Sequence, residues 1–303
     1  MLNRRQFLFA SAAGVASVPA LAGNRIGRSR ISAITDEIAR SPEDAIAFIK
    51  QYGLQWVELR GVPGAKKRRY SELPAAELKQ AARQFADNGI RVSFLNTSLL
   101  KYTLPGTEPA DKKFRDRDAA QKYKTHLDSL RHALEAAHIL GVDKVRVFTF
   151  RRVKDPPALL PRVVDTLAEM VEIAAAAKIH LLVENEASTN VATCAELAAL
   201  LQRLPSPWLG ANWDALNGTR YQEPPFPDGY AKLPKQRIGN VQIKGKSVLP
   251  AYGQLLDWAA IFAALARDGY QGECGLETHI FGEGQIQASH DSMKAILRIV
   301  ESS

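Results

Sequence analysis

Cysteine is almost absent from this chain: Cys194 and Cys274 are the two in 303 residues. Two thiols make no disulfide framework, and a bridge between them is not expected, so stability has to come from a packed core. Cys194 reads as a helix-start residue and Cys274 as a strand residue. The Cys and His spacing of a structural zinc site is missing as well. No Gly-rich phosphate turn follows the first strand-like run, which removes the signature of a dinucleotide-binding open sheet. No RNA- or DNA-binding motif accompanies the basic runs. Beyond the N-terminus, no apolar run reaches the roughly 18 residues of a spanning helix.

What is present is a globular composition, 46% hydrophobic and 24% charged, long enough for one large α/β barrel or two smaller domains. The N-terminus reads "MLNRRQFLFASAAGVASVPALAGN". Arg4 and Arg5 precede Phe7 and Leu8, then an Ala/Val-rich segment, then Ala20-Leu21-Ala22 as a cleavage site. Residues 1–22 are expected to be a twin-arginine signal peptide that exports the folded protein to the periplasm or beyond, with only transient membrane contact. Residues 23–29 read as a polar linker and 30–303 as the globular domain. Removing Arg4 and Arg5 lowers the formal charge of +8 by two. The remaining basic runs, "KKRR" at 66–69 and "DKKFRDR" at 111–117, each read as solvated loops.

From residue 30 onward, short strand-like runs alternate with longer amphipathic stretches. The strand-like runs are "RISAITD", "QWVELRG", "IRVSFLN", "KVRVFTF", "HLLVENE", "LGANWDA", "IGNVQIKG" and "GECGLETH". Between them, stretches such as "AAELKQAARQFADNG" and "DSLRHALEAAHILG" end in Gly before the next run, a helix C-terminal signal. Ser41-Pro42 and Asp155 before a Pro pair mark helix starts. Eight such units predict a (β/α)8 TIM barrel in a single α/β domain. A doubly wound sheet is the rival architecture. The long connections after the third and sixth runs are expected over the active face.

Alternate strand residues in a barrel point inward, and reacting groups come from the C-terminal strand ends. Polar i, i+2 pairs stand at those ends: Glu58/Arg60, Asn96/Ser98, Glu184/Glu186, Asn212/Asp214, Gln242/Lys244 and Glu277/His279. One such pair is as readily a surface turn; six at the same end of different strands imply a shared mouth. Glu184, Asp214 and Glu277 each follow an apolar run. Three carboxylates held together repel unless protonated or bound to a cation. Hard oxygen donors suit Mn²⁺, Mg²⁺ or Co²⁺ ahead of Zn²⁺, and the Gln242 amide oxygen adds a ligand without adding charge.

The segment from about 30 to 300 resembles the sugar phosphate isomerase/epimerase family of xylose isomerase-like TIM barrels. The resemblance rests on "VEN" with Glu184, "NWDALN" with Asp214, "VQIKGK" and "GLETH" with Glu277, supported by "ITDEI" and "VELRG". It implies a metal held by Glu184, Asp214, Gln242 and Glu277. Gln242 departs from the His of the usual His-x-Lys pattern, whereas Lys244 keeps the lysine. Dehydroshikimate dehydratases of the superfamily carry Gln at this place.

The chemistry so implied is proton removal next to a carbonyl, giving an enediolate that ends in isomerisation or epimerisation. Elimination of a β leaving group, as in a lyase or dehydratase, shares the first step. Glu184 and Glu277 are the expected ligands that double as acid and base. Lys244 is assigned to oxyanion charge or proton movement, and His279 to acid/base or substrate contact. Glu58, Arg60, Arg146 and Asn212 are assigned to substrate binding. An abasic-site endonuclease is disfavoured because His279 is the one histidine suitably placed, and no nucleic-acid partner is expected. A non-catalytic sugar-binding barrel is the rival of another class. Export favours a free or oxidised sugar over a sugar phosphate, and the sequence leaves homo-oligomerisation open.

Overall fold

The computed structural model describes residues 25–302, so the expected signal peptide at 1–22 lies outside the described residues. Eight strands appear where the apolar runs place them. They are β1 (Ile31–Ala33), β2 (Trp56–Leu59), β3 (Arg91–Leu95), β4 (Lys144–Val147), β5 (His180–Glu184), β6 (Leu209–Asp214), β7 (Ile238–Lys244) and β8 (Cys274–Glu277). All pairings are parallel, in the order β1-β8-β7-β6-β5-β4-β3-β2. A parallel bridge between Ile34 and Glu58 joins the two ends of this order and closes the ring. The fold is a single TIM barrel.

The helices are α1 (Thr35–Ile38), α2 (Pro42–Gln51), α3 (Ala75–Ala86), α4 (Ala119–Lys124), α5 (His126–Leu140), α6 (Pro156–Ala176), α7 (Cys194–Arg203), α8 (Tyr230–Lys232), α9 (Trp258–Arg267) and α10 (Gln285–Ser302). Their starts carry the expected chemistry. Ser41 accepts a hydrogen bond from the Asp44 amide at 3.1 Å, with Pro42 in the first turn, and Asp155 accepts from the Ala158 amide at 3.3 Å. Thr193 and Glu196 form a reciprocal capping box at α7. Among the described residues no helix is long and apolar enough to cross a membrane.

Strand residues alternate between two environments. Val57, Val145, Val183, Trp213, Val241, Ile243 and Leu276 are fully buried between strands and helices, each burial contributing roughly 1.5–3 kcal/mol. The alternate positions turn inward and are polar toward the C-terminal ends. Cys194 and Cys274 are free and buried, and burial pushes both thiols upward, Cys274 to about 12. Of the segment expected to be a linker, residues 25–29 fall among the described residues and pack on the barrel. Ile26 is buried, the Arg25 guanidinium donates to the Val300 carbonyl, and Arg28 pairs with Glu301.

Candidate active site at the barrel mouth

Register builds the site in layers. Glu184 pairs with Asn212, and Asn212 with Asn240. One step up, Asp214 pairs with Gln242, which faces Gly275; above them Lys244 pairs with Glu277. Irregularities at Ala211/Asn212 and Val57/Glu58 re-aim the polar residues that follow. Glu58 is fully buried inside the barrel, where its carboxylate reaches side chains of β1, β7 and the end of β3. It accepts from Ser32 Oγ at 3.2 Å, Asn96 Nδ2 at 2.7 Å, Asn240 Nδ2 at 3.2 Å and Gln242 Nε2 at 2.7 Å. Burial raises its pKa against the pull of these donors. Gly275 makes room for it, because a Cβ there would sit 1.8 Å from Glu58 Oε1.

Above this network, Glu184, Asp214 and Glu277 offer oxygens that all lie within 4.8 Å of one another. Glu184 Oε2 accepts from Arg146 Nη1 at 2.8 Å and Asn212 Nδ2 at 2.9 Å. Lys244 Nζ stands 2.9 Å from Asp214 Oδ2 and 2.8 Å from Glu277 Oε2. Burial, with Glu277 and Glu184 adding to it, pushes the Asp214 carboxyl up to about 6 despite Lys244. Burial also acts against the Glu277 carboxylate, but Lys244, His279 and Arg60 overrule it and hold the group well below the usual range. Lys244 is the converse case: burial disfavours its charge, while Asp214 and Glu277 hold the ammonium well above its ordinary value.

The mouth opens into a cleft of about 1450 Å³. Arg60, Arg146, Glu277 and His279 line it, whereas Glu184, Asp214, Gln242, Asn212 and Glu58 lie beneath, each 1% exposed or less. Lys244 is buried beside Glu277 at 5%. Arg60 binds Asp36, Glu37 and Glu277, and these carboxylates raise its pKa against burial. The His279 amide donates to Glu37 Oε2 at 2.7 Å, and its ring Nδ1 lies 3.6 Å from Glu277 Oε1. His279 adopts a left-handed backbone, φ 48°, which turns the chain at the rim.

Several participants escaped sequence reasoning. Asp36 and Glu37 stand in "ITDEI" one helical turn past β1 and show no strand alternation. Lys101, in the loop after β3, pairs with Glu186 at 3.0 Å. Burial opposes that carboxylate, but Lys101 and Lys244 bring it down to about 2. The basic run at 66–69 is the solvated loop expected, with Lys66, Lys67 and Arg68 exposed, and it also lines the cleft, where Arg69 is half-buried. Of the two long connections, the one after β3 contributes Ser98–Tyr102 to the cleft. The one after β6 packs on α7 instead, where Glu223 accepts from the Cys194 and Ala195 amides.

The residues present fit a divalent cation. Gln242 Oε1 is buried and has no hydrogen-bond partner among the described residues, and Gln242 stands in the same layer as Asp214. With the Glu184, Asp214 and Glu277 carboxylates, it makes a set of hard oxygen donors of the kind a divalent ion takes.

A parallel barrel with a carboxylate centre at the C-terminal ends of its strands defines the class. The sequence matches the xylose isomerase-like TIM barrel model over residues 46–296, and the chain belongs to that family. No curated protein sequence matches it. Among solved structures it is similar to the 3-keto-D-glucoside 4-epimerase YcjR from E. coli, at 17% identity and TM-score 0.65, covering 89% of this chain and 99% of that one. It is similar to the probable 3-DHS dehydratase AsbF of petrobactin synthesis from Bacillus anthracis, at 16% identity and TM-score 0.65, covering 88% and 98%. A xylose isomerase-like TIM barrel protein from Mycobacterium smegmatis, in complex with magnesium, matches at 15% identity and TM-score 0.66, covering 90% and 97%.

Proposed function

We propose that this chain is a divalent-metal-dependent isomerase or epimerase acting on a sugar or keto-sugar by proton abstraction next to a carbonyl. The observation that carries this reading is the convergence of Glu184, Asp214 and Glu277 with the unpartnered Gln242 oxygen. These four residues would hold the ion, which supplies Lewis-acid polarisation of a carbonyl oxygen when bound. Glu184 and Glu277 stand on β5 and β8, three strands apart, and their oxygens converge within 4.8 Å. One removes the proton next to the carbonyl and the other returns it to another atom or face. The Lys244 ammonium stabilises the oxyanion charge that develops meanwhile. Arg60 and Arg146 orient the substrate at the cleft floor, and His279 reaches it from the rim.

A lyase outcome is the second reading, and the Lys244 ammonium 2.8 Å from the Glu277 carboxylate is compatible with it. Such an acid beside a base serves loss of a β hydroxyl as readily as proton return. The solved relatives named above include both an epimerase and a dehydratase.

Metal content of the purified protein tests the site, with Mn²⁺, Mg²⁺, Co²⁺ and Zn²⁺ each offered. Wild type and Gln242→His retain an ion and Glu277→Ala loses it; equal binding by wild type and Glu277→Ala refutes the ligand set. Deuterium exchange from D2O into keto-sugars separates enzyme from binding protein, since a metal-free barrel with no exchange supports a binding module. Export through residues 1–22 is likewise proposed from the Arg4-Arg5 signal. Persistence of the full-length chain in the cytoplasm with an intact N-terminus would refute it.

A further inference from the structure

The cations of the cleft fall into two groups. Arg60, Arg68, Lys101, Lys122, Arg146 and Arg151 each stand within ion-pair distance of a carboxylate. Arg40, Lys66, Lys67 and Arg69 line the same cleft, and their side chains make no hydrogen bond or ion pair among the described residues. Arg40, Lys66 and Lys67 are exposed, where water satisfies them. Arg69 is half-buried. Burial lowers its pKa, Glu72 partly offsets this, and Arg146 and Arg60 push it further down. Arg69 thus belongs to the same cleft wall as Arg60 and Arg146, which line that cleft with it.

The loop that carries Arg69 is held in place. The Val62 amide donates to the Arg68 carbonyl at 2.9 Å, the Tyr70 amide to the Arg60 carbonyl at 3.0 Å, and Gly61 bridges Arg69. Tyr70 is buried beneath it. At the tip, Gly64 has φ +75°, and a Cβ there would stand 2.1 Å from the Arg40 carbonyl oxygen. That close approach sets Arg40 beside the 66–69 run on one wall. A half-buried guanidinium on a braced loop, with its planar fork of N–H donors unused, suits a carboxylate, which accepts two of them in parallel. Neutral hydroxyls would leave its charge uncompensated.

We propose that the substrate is a sugar acid whose carboxylate binds Arg69, with Arg40, Lys66 and Lys67 drawing the anion in at the rim, while its carbonyl end reaches the carboxylate centre. This rests on reading that centre as the reacting end of a carbohydrate site.

The test is calorimetric titration of the full chain, with Mn²⁺ present, against matched pairs: D-glucuronate with D-glucose and D-galacturonate with D-galactose. Glucose 6-phosphate, glucose 6-sulfate and inorganic phosphate complete the set. At least one uronate is expected to bind about tenfold or more tightly than its neutral partner. Arg69→Gln removes that preference and leaves the neutral sugar within about twofold. Arg69→Lys keeps part of the preference, and Lys112→Gln, the same charge change on an exposed loop residue, leaves it intact. The proposal is overturned by no uronate preference in wild type, by a preference that survives Arg69→Gln, or by no anionic sugar binding at all. Tighter binding of the 6-phosphate or 6-sulfate through Arg69 replaces the acid with an ester, and equal binding of inorganic phosphate means an adventitious anion only. Deuterium exchange keeps the two readings apart. Exchange into neutral keto-sugars without uronate preference sinks this inference alone, whereas uronate binding through Arg69 with no exchange into any sugar sinks the catalytic reading alone.

Discussion

Gln242 donates its amide nitrogen to Glu58 across 2.7 Å, and this bond decides which end of the amide faces the mouth. The reverse orientation would set oxygen against oxygen, so Gln242 Oε1 is the end left without a partner among the described residues. Glu58 thus acts through Gln242 as a positioning residue beneath the site.

Glu58→Ala frees Gln242 to rotate and leaves the Asn96 amide without its acceptor, whereas Asn240 Nδ2 keeps Asn212 Oδ1 at 3.0 Å. It is expected to lower stability by about 3 kcal/mol and to weaken Mn²⁺ binding by about 10- to 100-fold. Urea denaturation and metal titration measure the two effects. Unchanged metal affinity in the folded variant would remove the positioning role.

Gly275→Ala forces a methyl into the place of the Glu58 carboxylate. The single variant should lose about 2–3 kcal/mol through overpacking. In the Glu58→Ala background the clash is gone, so the double variant should be more stable than the two separate losses added together. Strict additivity would show that the two side chains do not compete for one space.

Lys244→Met removes the ammonium that Asp214 and Glu277 share. Breaking a buried pair from one side costs about 3–5 kcal/mol, so the variant should be markedly destabilised in EDTA. Mn²⁺ should restore more of the melting temperature in this variant than it adds to wild type. Equal metal stabilisation of both proteins would mean that Lys244 does not help to balance those carboxylates.

Glu223 caps α7 from the loop after β6, taking the Cys194 and Ala195 amides together with Lys232 at 3.0 Å. Burial works against the carboxylate, but these donors hold it below its ordinary 4.5. A carboxyl depressed in the folded state stabilises at pH above the unfolded value and loses that contribution as pH falls through the folded value. Glu223→Gln should therefore cost about 1 kcal/mol at pH 7. The gap from wild type should begin to narrow below about pH 4.5. Urea midpoints at pH 7, 5 and 4 check the sign; a gap that widens on acidification contradicts it.

The eight strands were legible because each is a short apolar run bounded by a helix-ending Gly or a charged stretch. The Gln242/Lys244 and Asn212/Asp214 pairs were legible for a related reason: a strand covered by helices on one side tolerates polar residues only on its inward face. Glu58 and Arg60 form a pair of the same spacing, yet the structure separates them, one under the mouth and one lining it. The irregularity at Val57/Glu58 changes the register there, and periodicity carries no sign of it. Lys101 and Arg69 were not legible, since each reaches the cleft through a loop whose path is set by distant contacts. The contact of Gly64 with the Arg40 carbonyl is one of these.

The bridge between Ile34 and Glu58 gives the ring closure a thermodynamic meaning. The seam between β1 and β2 and the floor of the mouth share one side chain, and Gln242 ties that side chain to whatever occupies the site. Occupancy and seam opening are then linked equilibria: a ligand that fixes Gln242 favours the closed ring by mass action. Amide exchange in β1 and β2 should slow when the mouth is filled, so that a thinly paired junction reports on a site it does not touch.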